Sequence, residues 1–198
     1  MQALLGLSST IDGIVDRVGR SAIWLILVAV LISAGNAIIR KVFNMSSNAF
    51  LEIQWYLFSG IFMLGAAYTL QHNEHVRIDV LSSRFSRRTR AWMEVFGTVV
   101  FLLPICVMMV YLGVPWFIQS FNSGEMSANA GGLIQWPVKL LLPIGFILLT
   151  AQGISELIKE LAFLTGAIPD PQEKHEFPSA EENLIEEIKK MRAENAND

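Results

Sequence analysis

The chain has 198 residues, of which 53% are apolar and only 17% charged, and its mean hydropathy is +0.44. Soluble domains carry about 25% charged residues, so this composition lies outside their class. A net charge of −3 without a basic, aromatic-laced helix argues against nucleic acid as a partner. The single Cys106 excludes a disulfide framework and a cysteine zinc site, and the chain has no Walker-type phosphate loop.

The charges avoid four stretches, Ser21–Ile39, Ile53–Asn73, Val95–Gly124 and Leu140–Ser155, which together make 86 positions without one Asp, Glu, Lys or Arg. About 20 apolar helical residues cross the roughly 30 Å hydrocarbon layer of a bilayer. The pattern predicts an all-α integral membrane protein with four transmembrane helices at about residues 21–39, 53–73, 95–117 and 134–156.

Residues 1–20 precede the first span. Leu4, Leu7, Ile11, Ile14, Val15 and Val18 recur at helical spacing, with Ser8, Asp12, Asp16 and Arg17 between them. This reads as an amphipathic helix lying along the cytoplasmic face. Gly6 and Gly13 weaken the helix, so a poorly ordered leader is the alternative. A cleaved signal peptide does not fit, because the apolar run exceeds 7–15 residues and a long segment precedes it.

Ala29, Ser33 and Ala37 form a small-residue face on the first span, and Gly60 and Ala67 share one on the second, near Gly65. Such faces let helix backbones approach closely, within the chain or against another subunit. Glu52 stands at the start of the second span, where a carboxylate suits the positive end of a helix dipole; a subunit contact is the other reading. The following connection holds His72, Glu74, His75, Arg77 and Asp79. Its histidines have no second ligand cluster, so metal and haem are not expected, and Glu74, Arg77 and Asp79 read as a local ion-pair network. Pro104 predicts a kink inside the third span, which is expected to cross to about Trp116. Lys139 snorkels at the start of the fourth. Trp55, Tyr56, Trp92, Trp116 and Trp136 near the span ends read as an interfacial belt.

The membrane domain of residues 21–166 gives way to an acidic tail, 167–198, with 9 acidic and 4 basic side chains. Pro169, Pro171 and Pro178 make its beginning an extended linker. Ser179 and Glu182 form a capping box ahead of Leu184, Ile185, Ile188 and Met191, which predicts a short C-terminal cytoplasmic helix. Orientation follows from Lys and Arg near the spans. With both termini cytoplasmic, Arg17, Arg20, Arg77, Arg84, Arg87, Arg88, Arg90 and Lys159 lie inside, against Arg40, Lys41 and Lys139 outside.

Ion-coupled transport normally uses ionisable groups within the membrane, and these spans supply none. Several motifs resemble the small membrane subunit of tripartite ATP-independent periplasmic (TRAP) transporters. They are Glu52 with Tyr56-Leu57-Phe58, Phe62-Met63-Leu64-Gly65-Ala66-Ala67, Asn73-Glu74-His75-Val76-Arg77-Ile78-Asp79-Val80-Leu81, and Leu142-Pro143-Ile144-Gly145-Phe146. The likeness covers roughly residues 20–165. It implies a non-catalytic, cofactor-free scaffold in a bacterial inner membrane, embedded in its lipids. Its partners would be a large membrane subunit and, through the assembled complex, a periplasmic substrate-binding protein, in sodium-driven uptake of an organic acid or related solute. The resemblance makes Glu52, His75, Arg77 and Asp79 candidate subunit-interface or scaffold positions; Gly60, Gly65 and Ala67 of the small-residue face, with Tyr56 beside Glu52, complete the set of candidates. A self-contained homo-oligomeric transporter or channel is the competing reading, followed by a membrane redox subunit using His72 and His75.

Overall fold

The computed structural model describes residues 1–44, 47–73 and 85–170. Five helices make up the described chain: α1 (Gln2–Phe43), α2 (Asn48–Gln71), α3 (Arg87–Gly97), α4 (Leu103–Ser123) and α5 (Trp136–Leu164). The described residues contain no β-strand, and a single antiparallel bridge joins Met126 to Ile134. The C-terminal helix expected after Ser179 lies outside the described residues.

α1 runs without a break through both the expected interfacial segment and the first span. Its 42 residues make a rod about 63 Å long, twice the hydrocarbon thickness. Gly6 and Gly13 do not interrupt it, because the segment is supported by packing rather than by propensity alone. Ser8, Val15, Ala22 and Ala29 recur every seven residues and are all buried. The face turned inward is therefore a narrow seam of small side chains. Of the larger apolar residues of the segment, Leu4, Leu7 and Ile14 are exposed, while Leu5, Ile11 and Val18 are half-buried. At Asp12, whose carbonyl accepts from the Gln71 amide, α1 is level with the end of α2. That point lies nine residues before the charge-free stretch begins at Ser21.

α3 starts at Ser86, whose hydroxyl accepts from the Thr89 N–H at 3.3 Å. It continues through a π-helical turn, Thr98–Leu102, into α4, giving one rod of 37 residues. The π turn closes just before Pro104, with Leu103 N–H bonded to the Thr98 carbonyl. Proline lacks the N–H and clashes with the carbonyl four residues back, so the wider turn takes up the misfit where a kink was expected. The helix extends past Trp116 to Ser123 and stops at Gly124, whose φ of 61° suits glycine.

α5 is the hub. It packs on each of the other helices, and 28% of its most apolar stretch is buried, against 6–11% in the other three membrane-length rods. α1 and α2 pack on one another and on α5, whereas α4 relies on α5. Burial is inverted relative to a soluble core. The fully enclosed side chains are small or polar, such as Ala67, Cys106, Ser155 and Gln152, while Trp24, Trp55, Phe62 and Phe101 point outward. Lipid tails are as apolar as leucine, so large apolar groups gain nothing by turning inward, and close packing of small residues decides the contacts.

Candidate subunit-contact site

The close approaches are built at glycines. A Cβ added at Gly145 would meet the Cβ of Met63 at 2.8 Å and its carbonyl oxygen at 2.9 Å, so α2 and α5 touch backbone to backbone there. Gly113 lets Leu142 of α5 rest on α4, Gly153 admits Leu102, and Gly19 admits the Tyr68 ring onto α1. Gly60 sits between Leu25 of α1 and Leu141 of α5, and Ala67 is fully enclosed. These two candidates therefore lie inside the chain's own packing. Gly65 differs: nothing lies within 4 Å of the position its Cβ would take.

Glu52 and Tyr56 clamp the connection between α4 and α5. The Glu52 carboxylate accepts from the Ser127 hydroxyl, from the Asn129 amide at 2.8 Å and from the Leu133 N–H at 2.6 Å. Tyr56 donates to the Ile134 carbonyl at 2.9 Å, and Asn48 donates to that of Ala130 at 3.0 Å. A Cβ at Gly132 would stand 2.9 Å from the same carboxylate, so a bare backbone is what admits it. All three partners of the carboxylate lie 75–81 residues away, and they supply a role that the dipole argument did not identify. Nearby, Lys139 pairs with Glu125 and lies 4.7 Å from the Trp116 ring centre. The ammonium of Lys139 holds the Glu125 carboxyl below its ordinary range.

The other end is fastened by two further clusters. Asp12 accepts from Ser155 at 2.7 Å and Gln152 at 3.0 Å, and pairs with Lys159 at 2.8 Å. Ser8 and Ser155 share a 2.7 Å hydroxyl contact beside it. Arg87 donates to both Glu160 oxygens, at 2.9 and 3.1 Å, and to Asp170 at 2.6 Å, with its guanidinium 4.7 Å from the Phe163 ring centre. Arg88 donates to the Leu164 carbonyl. None of Ser8, Asp12, Gln152, Ser155, Arg87 or Glu160 was a candidate from sequence. The seven-residue spacing of Ser8, Val15, Ala22 and Ala29 was a signal for Ser8; the others depend on which helices become neighbours.

His72 is held within α2's last turn, with Nδ1 3.0 Å from the Tyr68 carbonyl and its ring 4.1 Å from the Tyr68 ring. His75, Arg77 and Asp79 lie outside the described residues, as does Glu74. Trp55, Trp92 and Trp116 are exposed, and Trp136 packs edge-on against Phe117 and Phe121.

Four membrane-length helical rods, tied end to end by polar clusters and sealed between by glycines, define a multi-pass membrane protein. Residues 17–163 match the family described as tripartite ATP-independent periplasmic transporters, DctQ component, and the chain belongs to that family. It is thus a small membrane component of a transporter, from a family that is not enzymatic. No curated protein and no solved structure matches the chain.

Proposed function

We propose that the chain is the scaffold subunit that packs against the large membrane subunit of a TRAP transporter, in a bacterial inner membrane with both termini cytoplasmic. In that complex it supports sodium-driven, binding-protein-dependent uptake of an organic acid or a related solute. The observation that carries this reading is the use made of the polar groups at the ends of the bundle. Asp12, Gln152, Ser155 and Glu52 are engaged in fastening helices and a loop to one another. A substrate pathway needs polar groups that change partners, and groups held this way have the opposite character. The family match supports the same assignment.

The test is reconstitution. The chain alone in liposomes should move no organic acid, and the chain coexpressed with its large subunit should copurify with it and support uptake when the binding protein is added. Transport by the chain alone would overturn the scaffold reading and favour the homo-oligomeric carrier.

A further inference from the structure

At the loop end of the bundle, α4 and α5 enclose a polar pocket of about 330 Å³ lined by Trp116, Gln119, Ser120, Ser123, Glu125 and Lys139. A lysine at the end of a span normally snorkels into water, and Lys139 does not. Its side chain is only 8% exposed and is held between the Trp116 ring and the Glu125 carboxylate, which is itself 43% exposed. Glu125 takes one of the three ammonium donors, which leaves two. Ser120 is buried, and its hydroxyl lies beside the same carboxylate without completing a hydrogen bond. The pocket therefore holds a buried cation with spare donors, a hydroxyl with no acceptor and an accessible anion. An oxyanion would satisfy the first two.

Depth and charge decide which oxyanion. Trp116 marks the expected membrane boundary of the third span, and Ser123 lies about 10 Å further along α4, so the pocket sits in the headgroup layer. Inward from Trp116, Leu112 and Met108 follow at four-residue intervals, and all three are exposed. They make an apolar strip about 12 Å long that leads from the pocket into the hydrocarbon, as an acyl chain would run. Lys139 and Glu125 cancel in charge, so a purely anionic headgroup would meet the carboxylate as well as the ammonium. A phosphate joined through two carbons to a primary ammonium offers each of them its opposite.

We propose that this pocket binds the headgroup of a phosphatidylethanolamine lipid, its phosphate accepting from Lys139 and Ser120 and its ammonium donating to Glu125. The site requires only that the rods cross a bilayer, so it stands or falls separately from the scaffold reading.

Native mass spectrometry of the full chain tests it, in micelles doped equally with dioleoyl phosphatidylethanolamine, phosphatidylcholine and phosphatidylglycerol. One phosphatidylethanolamine per chain should be retained, about tenfold in preference to the other two, the scale of one charge-assisted hydrogen bond. Phosphatidylcholine keeps the phosphate, but its quaternary ammonium cannot donate to Glu125. Lys139→Met should lower retention about tenfold, whereas Lys41→Met, which removes an exposed cation at the same end but outside the pocket, should leave it unchanged. Glu125→Gln alters an accessible loop side chain and should keep lipid bound while bringing the preference over phosphatidylcholine to about parity. Equal retention of the three lipids by the unsubstituted chain, or equal losses in Lys139→Met and Lys41→Met, would overturn the site. Free O-phosphoethanolamine, added in place of lipid, should not be retained; retention equal to that of the lipid would overturn the lipid assignment in favour of a soluble phosphate ester.

Discussion

The middle of the molecule and its two ends are held by opposite means. In the middle, contact depends on what is missing: Gly145 and Gly113 have no side chain, so neighbouring helices close over them. At the ends, contact depends on what is present: Glu52 grips a loop, Asp12 joins α1 to α5, and Arg87 joins α3 to α5. The difference follows the solvent. Hydrocarbon gives no drive to pair apolar side chains, so tight van der Waals fit decides the middle, whereas polar groups at the ends can gather partners without crossing lipid.

The largest expected effect is in the middle. Gly145→Leu would drive a side chain into the Met63 backbone, which cannot swing aside as a side-chain tip can. A loss of about 3 kcal/mol is expected, at the upper end for overpacking, read as a lower midpoint in denaturation from detergent. Gly65→Leu, with open space around it, should leave that midpoint unchanged. A lowered midpoint for Gly65→Leu, or none for Gly145→Leu, would show that glycine packing does not hold the middle. Gly65 also separates two roles: loss of copurification with an unchanged midpoint would mark it as a subunit contact.

At the end where α1 meets α5, Asp12→Ala removes one acceptor shared by Ser155, Gln152 and Lys159. Asp12 and Lys159 are about one-fifth exposed, so solvent screens part of the interaction. A destabilisation of about 2 kcal/mol is expected from the stranded partners. Asp16→Ala breaks only the pair with Arg20, whose side chain is 70% exposed, and should cost less than about 0.5 kcal/mol. Equal midpoints for the two variants would mean that the Asp12 cluster adds nothing to the anchoring of α1.

Much of this was legible in the chain, and what was hidden has a common physical origin. Runs without charge gave the four rods because lipid excludes charge whatever the fold. The Gly60–Ala67 face was visible for the same reason, as both residues lie on one helix. The register of α1 was obscured because the eye follows large apolar residues, and Leu4, Leu7 and Ile14 face outward while Ser8 and Val15 make the seam. Glu52 looked like a cap because its partners are 75–81 residues away, and no local pattern encodes that distance. The proximity of Met63 and Gly145 likewise unites two motifs that are separate in sequence.

Glu52→Gln puts the loop clamp to a local test. The amide keeps one acceptor oxygen but loses the charge that strengthens three hydrogen bonds. The helices should stay associated, and amide hydrogen exchange should rise in residues 125–134 while the interiors of α2 and α5 remain protected. Exchange that rises throughout α2 would show that Glu52 supports the whole bundle rather than the loop.

The smallest effect is a titration. Because the Lys139 ammonium lowers the folded-state pKa of Glu125, the carboxylate binds its proton less readily than in the unfolded chain. The pair's contribution is therefore complete above the usual glutamate value of about 4.3 and is lost only as pH falls through the lower folded value. Trp116 reports on it, since the Lys139 ammonium lies over its ring. Its fluorescence should hold steady through mildly acid pH and change with a midpoint below that of a free glutamate, and Glu125→Gln should abolish the step. A midpoint at or above the free value would show that Lys139 does not hold Glu125 in its charged form. The loop would then depend on Glu52, Tyr56, Asn48 and its own backbone bridge, leaving the two ends of the bundle less alike than the clusters make them.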